Sequence, residues 1–417
     1  MHQNSIMRYA DYVDLRYTPK PSDLICDFYV EPGPKFTVKT AAGGVAAESS
    51  IGTWTELTTS QKYVEKLGAK VFSIRGNNIR IAYPIGLFEA GNMPNILSSI
   101  AGNVFGLKDL ANLRLNDIHF PKQIVRAYKG PKFGIPGIRK LLRVPKRPLV
   151  GTIVKPKLGL RTVDHAHVAY NAWAGGCDIV KDDENLSNQS FNRFKQRVVQ
   201  TLRARDRAEA ETGERKVYMA NITAETNEML RRARFVKSQG GEYAMVDIIT
   251  CGWSAMQTLR EANEDLRLVL HAHRAMHAAF TKNPRHGINM RVISRITRLV
   301  GLDQLHIGTV VGKMFESKEE VLANRDALVE RMGELKPTFP VASGGLHPGM
   351  IPQLVKIFGN DIILQFGGGI HGLKLGTHAG AMAARQALDA ALSGIQLKEY
   401  ARKHKELAAV LSQWGTK

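Results

Sequence analysis

The sequence predicts an α/β protein: a C-terminal (β/α)8 barrel, the TIM-barrel architecture, preceded by a small α+β domain of ferredoxin-like type. Three observations carry this. From about Pro148 onward, eight short apolar runs alternate with longer helical stretches, and continuous apolar runs fit strands buried on both faces of a parallel sheet. Before about Lys140 the rhythm differs, with strand-like segments on either side of an Ala-rich stretch. Between the two regions, Pro131, Pro136 and Pro145 with Gly130, Gly134 and Gly137 punctuate the chain. The expected divisions are 1–140 for the α+β domain, 141–395 for the barrel, and 396–417 for a C-terminal helix packed on it.

In order along the chain, DLICDFYVEP and NIRIAYPIGLF read as strands, rich in Ile, Val, Tyr and Phe, with the helical FTVKTAAGGVAAESS between them. The basic stretch from Lys132 to Lys146 reads as a linker. The eight barrel runs are LVGTIVKPK, CDIVKDDE, VYMANITA, YAMVDIIT, LVLHAHRA, DQLHIGTVV, FPVASGG and IILQFGGG. The closing LKEYARKHKELAAVLSQWGTK reads as one helix.

Composition excludes several classes. With 417 residues the chain can bury a large core without staples, and its three cysteines, Cys26, Cys177 and Cys251, supply neither a disulfide framework nor a Cys-rich zinc module. No stretch nears the ~20 apolar residues a membrane span needs. The first residues lack a basic head followed by an apolar run, so no secretory signal is expected and the expected location is cytoplasmic. The formal charge of +20 comes from 58 basic against 38 acidic residues. Those residues are spread along the chain without an aromatic-and-basic RNA-binding signature. A solvated surface that steers an anionic substrate is expected, with no nucleic-acid and no membrane partner.

The polar residues at the ends of the apolar runs point to chemistry. LVGTIV ends in Lys155-Pro156-Lys157, CDIV in Lys181-Asp182-Asp183-Glu184, and LVL in His271-Ala272-His273-Arg274; DQL leads to His306, and VAS to Ser343. In barrels, reactive groups collect at the C-terminal ends of several strands. Alternate side chains of a strand share a face, so Lys181 and Asp183 point together, and Glu184 joins them where the chain turns. This cluster is either a salt-bridged nest or a site for a hard divalent cation, for which carboxylate oxygens are the natural donors. Lys155 and Lys157 share a face too, and a desolvated lysine near another cation can act as base or nucleophile. A Schiff-base aldolase using Lys155 or Lys181 is therefore an open reading. His273 and His306 offer proton shuttles. Lys313 lies in a loop able to carry it over the site. Gly344-Gly345 and Gly367-Gly368-Gly369 follow the seventh and eighth runs, where barrels often bind phosphate.

Together these residues identify a family. KPKLGL from Lys155 and GGCDIVKDDEN from Gly175, on successive strands, resemble the large subunit of ribulose-1,5-bisphosphate carboxylase/oxygenase (RuBisCO). VAAESSIGTWTEL, SIAGNVFG, LHAHRAMHA, HIGTVVGK, VASGG and LQFGGG extend the likeness over nearly the whole chain. The short barrel resembles the archaeal, form III type.

The resemblance implies Mg²⁺-dependent carboxylation, or oxygenation by O2, of ribulose 1,5-bisphosphate. Enolisation, addition of CO2, hydration and cleavage would give two molecules of 3-phosphoglycerate, as part of nucleotide salvage. It implies that Lys181 is carbamylated by CO2 and binds Mg²⁺ with Asp183 and Glu184. Lys155, His273 and Lys313 would be the other catalytic groups. Lys157, Arg274, His306, Ser343, Gly345, Gly367, Gly368, Thr53 and Trp54 would hold the substrate and its phosphates. Glu48 and Asn103, with Thr53 and Trp54, would complete the site of a partner subunit, so a homodimer or an assembly of dimers is implied, without a small subunit. After Lys313 the chain reads Met314-Phe315-Glu316, where relatives commonly have Leu-Glu-Gly. The alternative within the same fold is a RuBisCO-like enolase or isomerase that fixes no carbon.

Overall fold

A computed structural model describes residues 8–416 except 54, 56–58, 60, 313 and 314. The chain divides into two compact units: 1–129 with 276–299 and 331–334, and the remainder.

The first unit is built on a sheet of β1 (Leu24–Pro32), β2 (Lys70–Arg75), β3 (Asn78–Tyr83) and β4 (Leu110–His119). The helices Val38–Glu48 and Met93–Ile100 provide the two crossovers. The strands run antiparallel in the order β4-β1-β3-β2, the βαββαβ arrangement of ferredoxin-like domains. Alternation in β1 buries Leu24, Cys26, Phe28 and Val30 on one face. The helix Val38–Glu48 starts at Thr37, whose hydroxyl accepts from the Thr40 N–H at 3.1 Å. Its Gly43 is required by a close approach: a Cβ there would lie 2.2 Å from the Tyr9 carbonyl oxygen. The expected second strand stops at Tyr83, because Pro84 cannot donate to a ladder. Strands β2 and β4 were not among the expected elements.

The second unit is the barrel. Its first five strands are β5 (Leu149–Ile153), β6 (Ile179–Lys181), β7 (Val217–Asn221), β8 (Tyr243–Asp247) and β9 (Val269–His273). The chain then leaves the barrel: within 276–299, β10 (Gly287–Ile288) adds to β4 as a fifth, parallel strand of the first sheet. Arg291 and Arg295 of this segment pair with the buried Asp117 of β4 at 3.1 and 2.6 Å. Strands β11 (Gln304–Gly308), β12 (Phe339–Ser343) and β13 (Ile363–Phe366) complete the barrel, closed and parallel in the order β11-β12-β13-β5-β6-β7-β8-β9. All eight expected runs are its strands.

Two expectations need correction. The stretch from Lys132 to Lys146, expected as a linker across a boundary at 140, contains the helix Gly134–Leu142 and belongs to the barrel unit. Ile135, Ile138 and Leu142 share one apolar stripe and pack with Leu149, Ile179, Val217, Tyr243, Val269 and Phe339 at the N-terminal end of the barrel. Pro136 breaks nothing because it lies in the first helical turn, where backbone N–H groups have no intrahelical partner. Instead Asp303 takes the Phe133 and Gly134 N–H groups at 2.7 and 2.9 Å, and its other oxygen takes that of Leu270 at 2.9 Å.

The C-terminal segment 396–417, expected as one helix, is broken. Leu397–Tyr400 and the tight turn Ala401–Lys403 precede Lys405–Trp414, with His404 extended at φ −133° between them. The break lets Leu397 and the pair Leu407 and Val410 bury separately, and the His404 ring stacks on Tyr400 at 4.2 Å.

Candidate active site

Strand periodicity builds the site. Side chains two apart on a strand share a face, and on six of the barrel strands the interior column begins apolar and ends polar. Ile179 is followed by Lys181, Met219 by Asn221, Met245 by Asp247, Val269 by His271 and His273, Val341 by Ser343, and Ile363 by Gln365. The lower members belong to the apolar cluster with the helix Gly134–Leu142. Of the upper members, Lys181, His273, Ser343 and Gln365 line a cavity of about 690 Å³ at the C-terminal ends of the strands. Lys155, Lys157, Lys181, Asp183, Glu184, His273, His306, Ser343, Gly345, Gly367 and Gly368 all line it.

Asp182 points the opposite way and fixes the strand end. Its carboxylate accepts from Arg197 Nε at 3.0 Å, the Tyr218 hydroxyl at 2.7 Å and the Asn221 N–H at 3.0 Å. Burial alone would raise its pKa, but Arg197 and His165 outweigh this and keep it ionised. With Asp182 anchored below, Lys181 and Asp183 on either side are held toward the cavity.

Lys181 is 1 % exposed, and its Nζ donates to the Asp182 carbonyl at 2.8 Å and lies 2.9 Å from Met245 Sδ. Burial lowers its pKa, and the nearby carboxylates of Asp183, Asp247 and Glu184 only partly oppose this. Burial also acts on Asp183, but its bond with Glu184 and the charges of Lys181 and Lys155 bring it well below the usual carboxylate range; Lys155 forms an ion pair with it. Glu184 moves the other way, raised by burial and by the hydrogen bond and charge of Asp183. Close like charges move apart in this way, one carboxyl down and its neighbour up. Lys157 lies 3.6 Å from Glu184.

On the other side of the cavity, register pairs Asp247 with His273 and Gln304 with His271 on neighbouring strands. Asp247 Oδ1 lies 2.8 Å from His273 Nδ1. Burial raises Asp247 to about 6, and burial with the Lys181 charge holds His273 in its neutral form. A chain of four groups runs beside it: Gln304 Oε1 to His271 Nδ1 at 2.9 Å, His271 Nε2 to His306 Nε2 at 2.9 Å, and His306 Nδ1 to Ser343 Oγ at 2.6 Å. Burial keeps both imidazoles neutral. With Gln304 Oε1 accepting, His271 Nδ1 carries the proton, His306 donates from Nε2, and Ser343 must donate to His306 Nδ1. The Ser343 oxygen is left as an acceptor toward the cavity.

Asp247, His271 and Gln304 carry this arrangement, and the sequence reading assigned a role to none of them. Asp247 was findable, since it ends its run in the same position as Lys181 and His273. Arg274, expected on a phosphate, does not line the cavity: its buried guanidinium pairs at 2.6 Å with the buried Glu316. Glu48, Thr53 and Asn103 belong to the first unit, Glu48 at the end of the helix Val38–Glu48 and Asn103 at the surface. Trp54 and Lys313 lie outside the described residues.

At the glycine-rich end, Gly344 and Gly345 have φ of 118° and 73°, which L side chains rarely adopt. Gly369 lets two loops touch: a Cβ there would lie 2.1 Å from the Leu346 carbonyl oxygen. Among the described residues, no helix is long and apolar enough to cross a membrane.

Comparison with known proteins agrees with this geometry. The family profile described as "Ribulose bisphosphate carboxylase large chain, catalytic domain" matches residues 134–414, and that for the N-terminal domain matches 11–124. A ribulose bisphosphate carboxylase of Methanosarcina acetivorans is 54% identical over 97% of this chain and 99% of its own length. One from Pyrococcus abyssi is 49% identical over 98% of this chain and 97% of its own. Among solved structures, the octameric enzyme of Pyrococcus horikoshii in complex with sulfate ion superposes with a TM-score of 0.95 at 48% identity, covering 99% of this chain and 98% of that one. The dimeric archaeal Rubisco of Hyperthermus butylicus gives 0.92 at 44% identity, covering 98% and 100%.

Proposed function

The chain belongs to the ribulose bisphosphate carboxylase large-chain family, and we propose that it carboxylates ribulose 1,5-bisphosphate, with O2 as the competing gas. The observation that carries this reading is a lysine 1 % exposed, at the floor of the cavity, with its amine pushed toward the neutral form. A neutral amine is the form that adds to CO2, releasing a proton and leaving an anionic carbamate. That product would turn a buried amine into a third oxygen donor beside Asp183 and Glu184. The donor set fits a hard cation: the upward push on Glu184 comes from burial and from its bond with and the charge of Asp183, which a bound cation would offset. Lys181 as carbamate, Asp183 and Glu184 would hold Mg²⁺, which when bound supplies Lewis acidity to substrate oxygens.

The remaining steps fall to the chain's own residues. Lys181, as carbamate, would take the C3 proton. Lys155, released from Asp183, delivers the final proton to carbon. His273, held by Asp247, assists hydration. Ser343 accepts from a substrate hydroxyl because its own proton is committed to His306. The glycine loops present backbone N–H groups to one phosphate. For the other, Arg274 must exchange Glu316 for the substrate. Lys313, outside the described residues, would act on the added gas.

The dimeric and octameric neighbours support an assembly of dimers in which Glu48, Thr53, Trp54 and Asn103 serve a partner's site. The proposal extends to a cytoplasmic role in nucleotide salvage, which the likeness to form III implies.

The test is incubation with labelled bicarbonate, ribulose bisphosphate and Mg²⁺. Acid-stable label in 3-phosphoglycerate is expected. Consumption of the bisphosphate without label would replace this reading by the enolase or isomerase alternative, and chelator-insensitive turnover would remove the metal from it.

A further inference from the structure

The glycine-rich end of the cavity does not rest on barrel strands alone. Trp414, the last residue of the helix Lys405–Trp414, lines the same cavity as Lys181 and Ser343. Its ring meets that of His347 at 5.8 Å between centroids, tilted by 34°. His347 follows Gly344 and Gly345 by two residues and begins the tight turn Pro348–Met350. The neighbours of Trp414 in sequence hold both loops. The Gln413 amide donates to the Gly372 carbonyl at 2.8 Å and accepts from the Lys374 N–H at 3.2 Å. The Gly415 carbonyl oxygen is so close to Gly349 that a Cβ there would lie 2.3 Å from it. The loops after β12 and β13 are therefore tied together from the C-terminal helix, whose Trp414 also lines the cavity.

We propose that Trp414 is a positioning residue for the anionic end of the substrate: it walls the cavity and, through His347, sets the loop of Gly344 and Gly345 at the spacing an anion requires. This rests on reading the cavity as the bisphosphate site. The role is geometric. A flat, rigid side chain restrains a glycine pair that would otherwise sample many conformations, and so lowers the entropy lost on binding.

The experiment compares the full-length wild type with Trp414→Ala and Trp414→Phe. Trp414→Ala is expected to raise KM for ribulose bisphosphate about tenfold, to weaken competitive inhibition by inorganic sulfate equally, and to leave kcat within about threefold. Trp414→Phe is expected to restore both affinities. In turnover-free titrations, sulfate should change the intrinsic fluorescence of the wild type, and that change should vanish in Trp414→Phe. An unchanged KM and sulfate affinity in Trp414→Ala would overturn the proposal, as would a kcat loss exceeding the KM effect without rescue by phenylalanine. If the wild type fixes no CO2, the carboxylase reading fails while the sulfate titration of wild type and Trp414→Ala still decides the role of Trp414; equal sulfate affinity in the two would end it.

Discussion

The two ends of the barrel use buried charge in opposite ways. At the N-terminal end, Asp303 satisfies three backbone N–H groups, and Asp178 grips Arg147 at 2.6 and 2.7 Å while accepting from the Val150 N–H. Each carboxylate there is matched by fixed donors, which for Asp303 oppose the upward push of burial on its pKa, and the surrounding interior is closed by Ile135, Ile138 and Leu142. At the C-terminal end, Lys181 is pushed toward neutrality, and Glu184 and Asp247 toward protonation. The strands are the same; on six of them the interior residue changes from apolar below to polar above. One end has its electrostatics completed by the fold, and the other has charges that a ligand must complete.

The sharpest way to break this contrast is Lys181→Met. It should reduce carbon fixation by about 1,000-fold or more, while the melting temperature of the metal-free protein stays level or rises, since methionine fills apolar surroundings without a buried amine. Label incorporation and a thermal melt check both halves. The mirror experiment is Asp303→Ala. Three N–H groups lose their acceptor, so stability should fall by roughly 3 kcal/mol, with kcat at low temperature nearly unchanged; denaturant unfolding and initial rates read the two.

Asp247→Asn gives a smaller effect that touches both properties. Loosening His273 should lower kcat by about 10- to 100-fold. In the metal-free protein, Asp247 has its pKa raised from 3.8 to about 6. The folded state therefore binds this proton more tightly than the unfolded chain does. The resulting stabilisation is complete below pH 3.8 and lost as pH rises through about 6. Asparagine has no such loss, so its stability relative to the wild type should improve between pH 4 and pH 7. Urea midpoints at those two values measure it, and a constant difference would show that Asp247 does not carry the proton.

Much of the architecture was legible because parallel strands write long apolar runs. Lys181, Asp183, Glu184, His273 and Ser343 were legible as polar ends of such runs. Strands β2 and β4 were not: KVFSIR and LANLRLNDIH mix polar and apolar residues, as half-exposed antiparallel strands do. The helix Gly134–Leu142 was hidden by its own glycines and proline, whose helix-breaking meaning lapses in a first turn. Gln304 gave no local signal, since a lone glutamine in a strand acquires its purpose only from the His271 brought beside it. The Arg274–Glu316 pair was equally invisible, because it joins groups from two different loops.

The excursion at 276–299 bears on how the chain can be made. The first sheet lacks its edge strand, and Asp117 lacks two of its arginines, until five barrel strands have left the ribosome. Neither unit is therefore a contiguous gene segment, and severing the chain near residue 130 would strand a buried aspartate without its counter-charges. Splitting this enzyme into separately expressed halves should fail at that cut, and grafts between relatives must carry residues 276–299 along with the amino-terminal piece.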